Sequence, residues 1–200
     1  MTTVFVLGFD PGGAAAFGWC ALASTDGQVS LIGSGTCSSA SAALAATRAA
    51  IPSQPAAFAV DAPLFWLPAG DRNADKIVRK MVCAAGGSSG TVGHINSLRG
   101  ACLVQGIMVT QMAATLWPDA KVSEAHPKAL LRVSSAAQTF AATVLNKAST
   151  EHERDAGLAA FTALNLLSAS VGWHNLVEYE NGHHFPTGKT VTYWFPRTRA

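Results

Sequence analysis

Apolar positions divide the first third of the chain into short runs. Thr3 to Phe9, Phe17 to Ala23 and Gln28 to Gly35 are each of strand length, and Asp26-Gly27 stands between the last two as a hairpin turn pair. The chain therefore opens as an antiparallel meander. "SASAALAATRAAI" then changes to helical composition, with Ser39 or Ser41 to cap its start and Pro52 just past its end. "AAFAVDAPLFW" repeats the opening pattern: a short apolar run that ends in a carboxylate, Asp61, with a proline to stop the strand. A polar helix start at "GDRNADKIVRK", a glycine-rich loop at "AAGGSSGTVGHINS", a long apolar helix to Trp117 and a short strand "AKVSEA" ending near Glu124 follow. In "TEHERDAGLAAFTALNLLSAS", Leu158, Phe161, Leu164 and Leu167 or Asn165 fall at helical spacing, a face expected to pack on the sheet. The tail from Glu178 to Arg199 alternates around "GHHFPTGK" and predicts a hairpin. Since a meander start excludes a purely parallel doubly wound sheet, the order predicts an α/β fold with a mixed sheet. Residues 3–175 form the expected domain, and residues 176–200 an appended hairpin.

Composition narrows the class. Nearly half of the 200 residues are hydrophobic and 13% are charged, which is globular rather than disordered. Cys20, Cys37, Cys83 and Cys102 make no CxxC pair and no signal peptide precedes them, so they read as reduced thiols of a cytoplasmic protein. Asp10 interrupts the first apolar run, and Gln105 and Gln111 interrupt the longest one, so no membrane span is expected.

Asp10 is the first residue that needs a chemical explanation. It ends a strand headed for the core, where an unpaired charge costs several kcal/mol. Asp61 ends a second such strand, and Asp155 lies early in the last strong helix. Each has a plain alternative: Asp10 and Asp61 suit the start of a turn, and Asp155 suits the positive end of a helix dipole. Glu151 and His152 lie one turn before Asp155 and can share its face. His152 can position water, protonate a leaving group or cap a surface. Glu124 is either a candidate fourth ligand or the lead into a helix with Pro127 at its first position.

"GFDPGG", "VDAP" and "HERDA" resemble the ends of the first and fourth strands and the start of the last helix in the ribonuclease H-like superfamily, in particular its Holliday-junction resolvase branch. With "DRNADKIVR" and "EAHPKALL" included, the chain is similar over residues 3–170 to a bacterial family catalogued as a domain of unknown function and expected to be ribonuclease H-like. The resemblance implies a three-strand meander followed by parallel strands, with helices on both faces. It also implies that Asp10, Asp61 and Asp155 converge; Glu124 and Glu151 are the further candidate metal ligands beside them and His152 the candidate catalytic partner. Three adjacent carboxylates repel unless a cation cancels their charge. Mg²⁺ or Mn²⁺ suits oxygen ligands with no competing Cys/His cluster, and two such ions can drive in-line phosphodiester hydrolysis. Asp61 departs from the glutamate of many resolvases, a shorter arm that must stand closer to the metal.

The formal charge of +2 says little, but its distribution says more. No acid occurs from Lys76 to Pro118, while Lys76, Arg79, Lys80 and Arg99 do, with Arg72 just before them. These five are the expected substrate-binding residues for weak to moderate, salt-sensitive contact with DNA or RNA. The leading expectation is a divalent-metal-dependent nuclease acting on structured nucleic acid. The alternatives are a non-catalytic binding module on the same fold and a phosphotransferase relative of the actin and sugar-kinase fold. The assembly stays open between monomer and homodimer.

Overall fold

The computed structural model describes residues 2–13, 15–65, 71–93, 100–146, 150–181, 183 and 185–197. β1 (Thr3–Asp10), β2 (Phe17–Thr25) and β3 (Gln28–Cys37) form the expected meander, and the Asp26-Gly27 turn has φ of +50° and +83°. Two consecutive positive φ values match the right-handed twist of the flanking strands. α1 (Ala40–Ala50) is capped by Ser39, whose hydroxyl accepts from the Ala42 N–H at 3.2 Å. β4 (Ala57–Val60), α2 (Asn73–Ala84), α3 (Gly100–Leu116) and β5 (Lys121–Glu124) follow. α4 (Pro127–Val133), with proline at its first position, and α5 (Ser135–Thr143) occupy the stretch before α6 (Glu151–Leu167).

With β6 (Trp173–Asn175) and β7 (Thr192–Pro196) included, the sheet has the order β3-β2-β1-β4-β5-β7-β6. β1 runs antiparallel to β2 and parallel to β4, and β4 runs parallel to β5. This is the meander followed by parallel strands that the resemblance implies. The C-terminal part is arranged differently from the expected appendage. β7 (Thr192–Pro196) pairs parallel with β5, and its antiparallel partner β6 (Trp173–Asn175) lies upstream of Glu178. Tyr193 and Phe195 explain the difference, because both are fully buried on the sheet. The tail thus extends the main sheet instead of folding on its own.

Alternation of side chains along β1 assigns the faces. Phe9 makes edge contacts with Phe17 and Phe58, and the neighbouring Trp19 packs near Ala50 of α1. Gly8 faces the other way, under α6, where a Cβ would overlap the Ala156 carbonyl and the Ala160 nitrogen. Helices therefore cover both faces. The sheet-facing side of α6 is made of small residues, Ala156, Ala159, Ala160 and Ala163, in place of the larger face expected from the spacing of Leu158, Phe161, Leu164 and Leu167. Small side chains allow the close approach, and Phe161 instead stacks on Phe140 of α5 at 4.6 Å. Gly8→Ala should cost about 1–3 kcal/mol or more by overpacking, read as a fall in the urea midpoint. An unchanged midpoint would show that α6 does not sit so closely on β1.

Candidate active site

Parallel pairing places the ends of β1, β4 and β5 side by side. Phe9 is opposite Val60, Val60 is opposite Glu124, and the Asp61 N–H donates to the Phe9 carbonyl at 2.8 Å. Asp10 and Asp61 thus end adjacent strands, at the carboxyl edge where open α/β sheets bind ligands. The loop after Asp10 is held by Gln105 of α3, which donates to the Gly12 carbonyl at 2.7 Å and accepts from the Ala40 N–H at 2.9 Å. The start of α6 comes down over the strand ends: a Cβ at Gly18, opposite Asp10, would overlap the His152 carbonyl. His152 Nδ1 lies 2.7 Å from Asp10 Oδ2, and its imidazole is 44% exposed.

Asp155 is buried one turn further along α6. Its Oδ1 has no hydrogen-bond partner; Arg154 Nε stands 3.9 Å from it, and Lys128 Nζ stands 3.8 Å from Oδ2. Lys128 also pairs with the exposed Glu151 at 2.9 Å. Burial, reinforced by the Asp10 charge, pushes the Asp155 carboxyl up to about 6. Burial likewise pushes Asp61 up to about 7, opposed by His126 and reinforced by Asp10, Asp155 and Glu124. Burial raises Asp10 as well, against its bond to His152. These three carboxyls are electrostatic neighbours, which like charges without a compensating cation can be only at a cost.

The Asp61 shift fixes a pH dependence. The folded state keeps the Asp61 proton up to about pH 7, whereas the unfolded chain releases it near the ordinary value of 3.8. Between those limits the folded state binds more protons, so stability falls as pH rises, and the whole penalty is present above pH 7. At about 1.4 kcal/mol per pKa unit, discounted because the residue as a whole is only partly buried, Asp61→Asn should be about 2 kcal/mol more stable than the parent at pH 8 in chelator. Urea melts should show that advantage vanishing near pH 4. An equal difference at both pH values would contradict the shift.

Glu124 is placed otherwise than a free fourth ligand requires. Arg72 Nη1 and Nη2 contact its two oxygens at 2.9 and 2.6 Å, Leu64 N–H donates at 3.0 Å, and His126 Nε2 lies at 3.0 Å. Against burial, which alone would raise it, Arg72 and His126 hold this carboxyl down to about 2. Asp75, Glu124 and His126 each bring a ligand atom within 4.8 Å of one another, a spacing that Asp10, Asp61 and Asp155 do not match. Arg72 already supplies the positive charge in that tighter group. The guanidinium is 1% exposed and pairs with Asp75 at 2.7 Å, so it does not offer the surface contact expected of it. Its guanidinium carbon lies over the Phe65 ring, 4.4 Å from the centroid.

Of the remaining expected substrate contacts, Arg79 is in an ion pair with Asp71 and donates to the Val92 carbonyl, whereas Lys76 and Lys80 are exposed on α2. Arg99 lies outside the described residues. Lys128, between Glu151 and Asp155, and His126, behind Asp61, were not singled out from the sequence. Both sit in "EAHPKALL", where no periodicity marks them, since strand end and helix start meet there. Among the described residues no helix is long and apolar enough to cross a membrane.

Comparison with solved structures finds RuvC of T. thermophilus in complex with a Holliday junction substrate, at 15% identity and a TM-score of 0.44, over 82% of this chain and 96% of that one. That distance assigns neither activity nor substrate to this chain. No curated protein matches the sequence. A family model described as "Protein of unknown function (DUF429)" matches residues 8–181, which include Asp10, Asp61 and Asp155, and the chain belongs to that family.

Proposed function

We propose that the chain is a divalent-metal-dependent phosphodiester hydrolase acting on nucleic acid, with Asp10, Asp61 and Asp155 as the residues that hold the cation. The observation that carries this reading is the buried Asp155 Oδ1, which has no hydrogen-bond partner, beside two further carboxyls raised by burial and mutual repulsion. An all-oxygen donor set of this kind fits Mg²⁺ or Mn²⁺, and two ions would share it. Such ions lower the pKa of bound water and stabilise a leaving oxygen. Glu124 stays outside the ligand set because Arg72, His126 and Leu64 engage both its oxygens.

The chain's own groups then have distinct tasks. Asp10 orients the half-exposed His152 ring through the 2.7 Å contact to Nδ1, and Nε2 is the nitrogen that would pass a proton at the reacting centre. Lys128 balances Asp155 and Glu151, so that the cluster remains folded when no cation is bound. Gln105 fixes the Gly12 loop and with it the direction of Asp10.

A crystal soaked in Mn²⁺ should show an anomalous peak between Asp10, Asp61 and Asp155, and the same protein should cleave labelled branched or linear nucleic acid only with the metal present. A peak at Glu124 and His126 alone, or cleavage that persists in chelator, would sink the proposal.

A further inference from the structure

We propose that the groove between the glycine-rich loop and α4–α5 is the track for the phosphate backbone of a double-helical nucleic acid, with Arg132 and Arg154 as its phosphate contacts. The inference rests on the proposed hydrolytic site and supplies its substrate path. The groove has a volume of about 840 Å³ and is lined by Lys128, Arg132 and Arg154 together with Ser88, Thr91 and Gln138. Lys128 and Arg132 are four residues apart on α4 and so share one face. Among the described residues no acidic side chain lines it, and Glu151 reaches it only through its pair with Lys128.

Two observations give it direction and chemistry. Arg154 and Lys128 stand 3.9 and 3.8 Å from the two oxygens of Asp155, so the groove opens directly onto the candidate site. Its far wall is the loop at Gly87, where a Cβ would overlap Val82 and come within 3.2 Å of Arg132 Nε, so the loop backbone lies close beside that side chain. Arginine, lysine, hydroxyl and amide groups are those that contact phosphate and sugar. Among the described residues the lining holds no aromatic ring on which unstacked bases could rest, which favours a duplex backbone over a stacked single strand. On α2, by contrast, Arg79 is tied to Asp71.

The experiment is fluorescence anisotropy of a labelled DNA duplex against salt, in Ca²⁺ to block turnover, with Mn²⁺ thermal shift measured on the same proteins. Arg132→Gln/Arg154→Gln should lower the salt slope by about 1.8, at about 0.9 per lost phosphate contact, with an Mn²⁺ shift no smaller than the parent's, because loss of Arg154 removes a cation that competes for Asp155. Arg132→Lys/Arg154→Lys should restore most of the slope. An unchanged slope in the glutamine pair, or no recovery in the lysine pair, overturns the track. So does equal competition by inorganic phosphate at the same phosphate concentration, which would mark an ion site instead of a backbone path. A slope that falls as expected in a protein showing no Mn²⁺ shift leaves the track standing and removes the metal reading.

Discussion

Arg72→Leu should lower the unfolding free energy by about 3–5 kcal/mol, the cost of leaving a buried charge without its partner. All five N–H donors of Arg72 are matched: two go to Asp75, two to Glu124 and one to the Phe65 carbonyl. Removing the guanidinium leaves two carboxylates with no exposure, Asp75 and Glu124, close to each other with His126 as the neighbouring group. Arg72→Lys should recover little, since an ammonium cannot form two bidentate pairs at once. The loss should shrink at low pH, where both carboxylates can take up protons. Urea unfolding at pH 8 and pH 5 checks both points. A loss under about 1 kcal/mol at pH 8 would mean that the cluster is not the junction between α2, β5 and the Phe65 segment.

That cluster also shows where sequence reading runs out. The meander, the strand-end acids and the α6 start were legible because each is local: apolar runs, a turn pair with positive φ, a carboxylate followed by proline. Arg72 looked like a surface cation because its neighbours are polar. Its main partner, Glu124, is 52 residues away, and only the pairing of β4 with β5 brings the two together. Glu124 was legible as a strand end near the site for the same local reason, but its engagement by Arg72 was not. α6 shows a different limit. Helical spacing of large residues marks a buried face, yet the sheet took the alanine face because Gly8 and Gly18 opposite it admit a close backbone approach. Which of two apolar faces meets the sheet depends on the partner's bulk, and that is not written within the helix. β7 belongs to the same class, since two buried aromatic residues decide its place on the edge of β5.

Asp155→Asn should move apo stability and metal response in opposite directions, a combination that a purely structural carboxylate would not give. In the absence of a cation the substitution removes a buried charge that burial and Asp10 already disfavour, so the melting temperature in chelator at pH 8 should rise. With Mn²⁺ the sign reverses. Loss of an outer partner of a metal ligand costs about 10–100-fold in affinity or activity, so loss of a direct ligand should cost more than about 100-fold in metal-dependent hydrolysis, or about 2.7 kcal/mol or more. The Mn²⁺-induced rise in melting temperature should shrink accordingly, because stabilisation by a bound ligand follows its affinity. Asp155→Glu keeps the charge but lengthens the arm in a site where Oδ1 is already enclosed, so it should recover the chelator behaviour of the parent without its activity. If Asp155→Asn melted lower than the parent in chelator while keeping the full Mn²⁺ shift, Asp155 would be a helix-start anion serving the dipole of α6, and the cation would have to be held elsewhere.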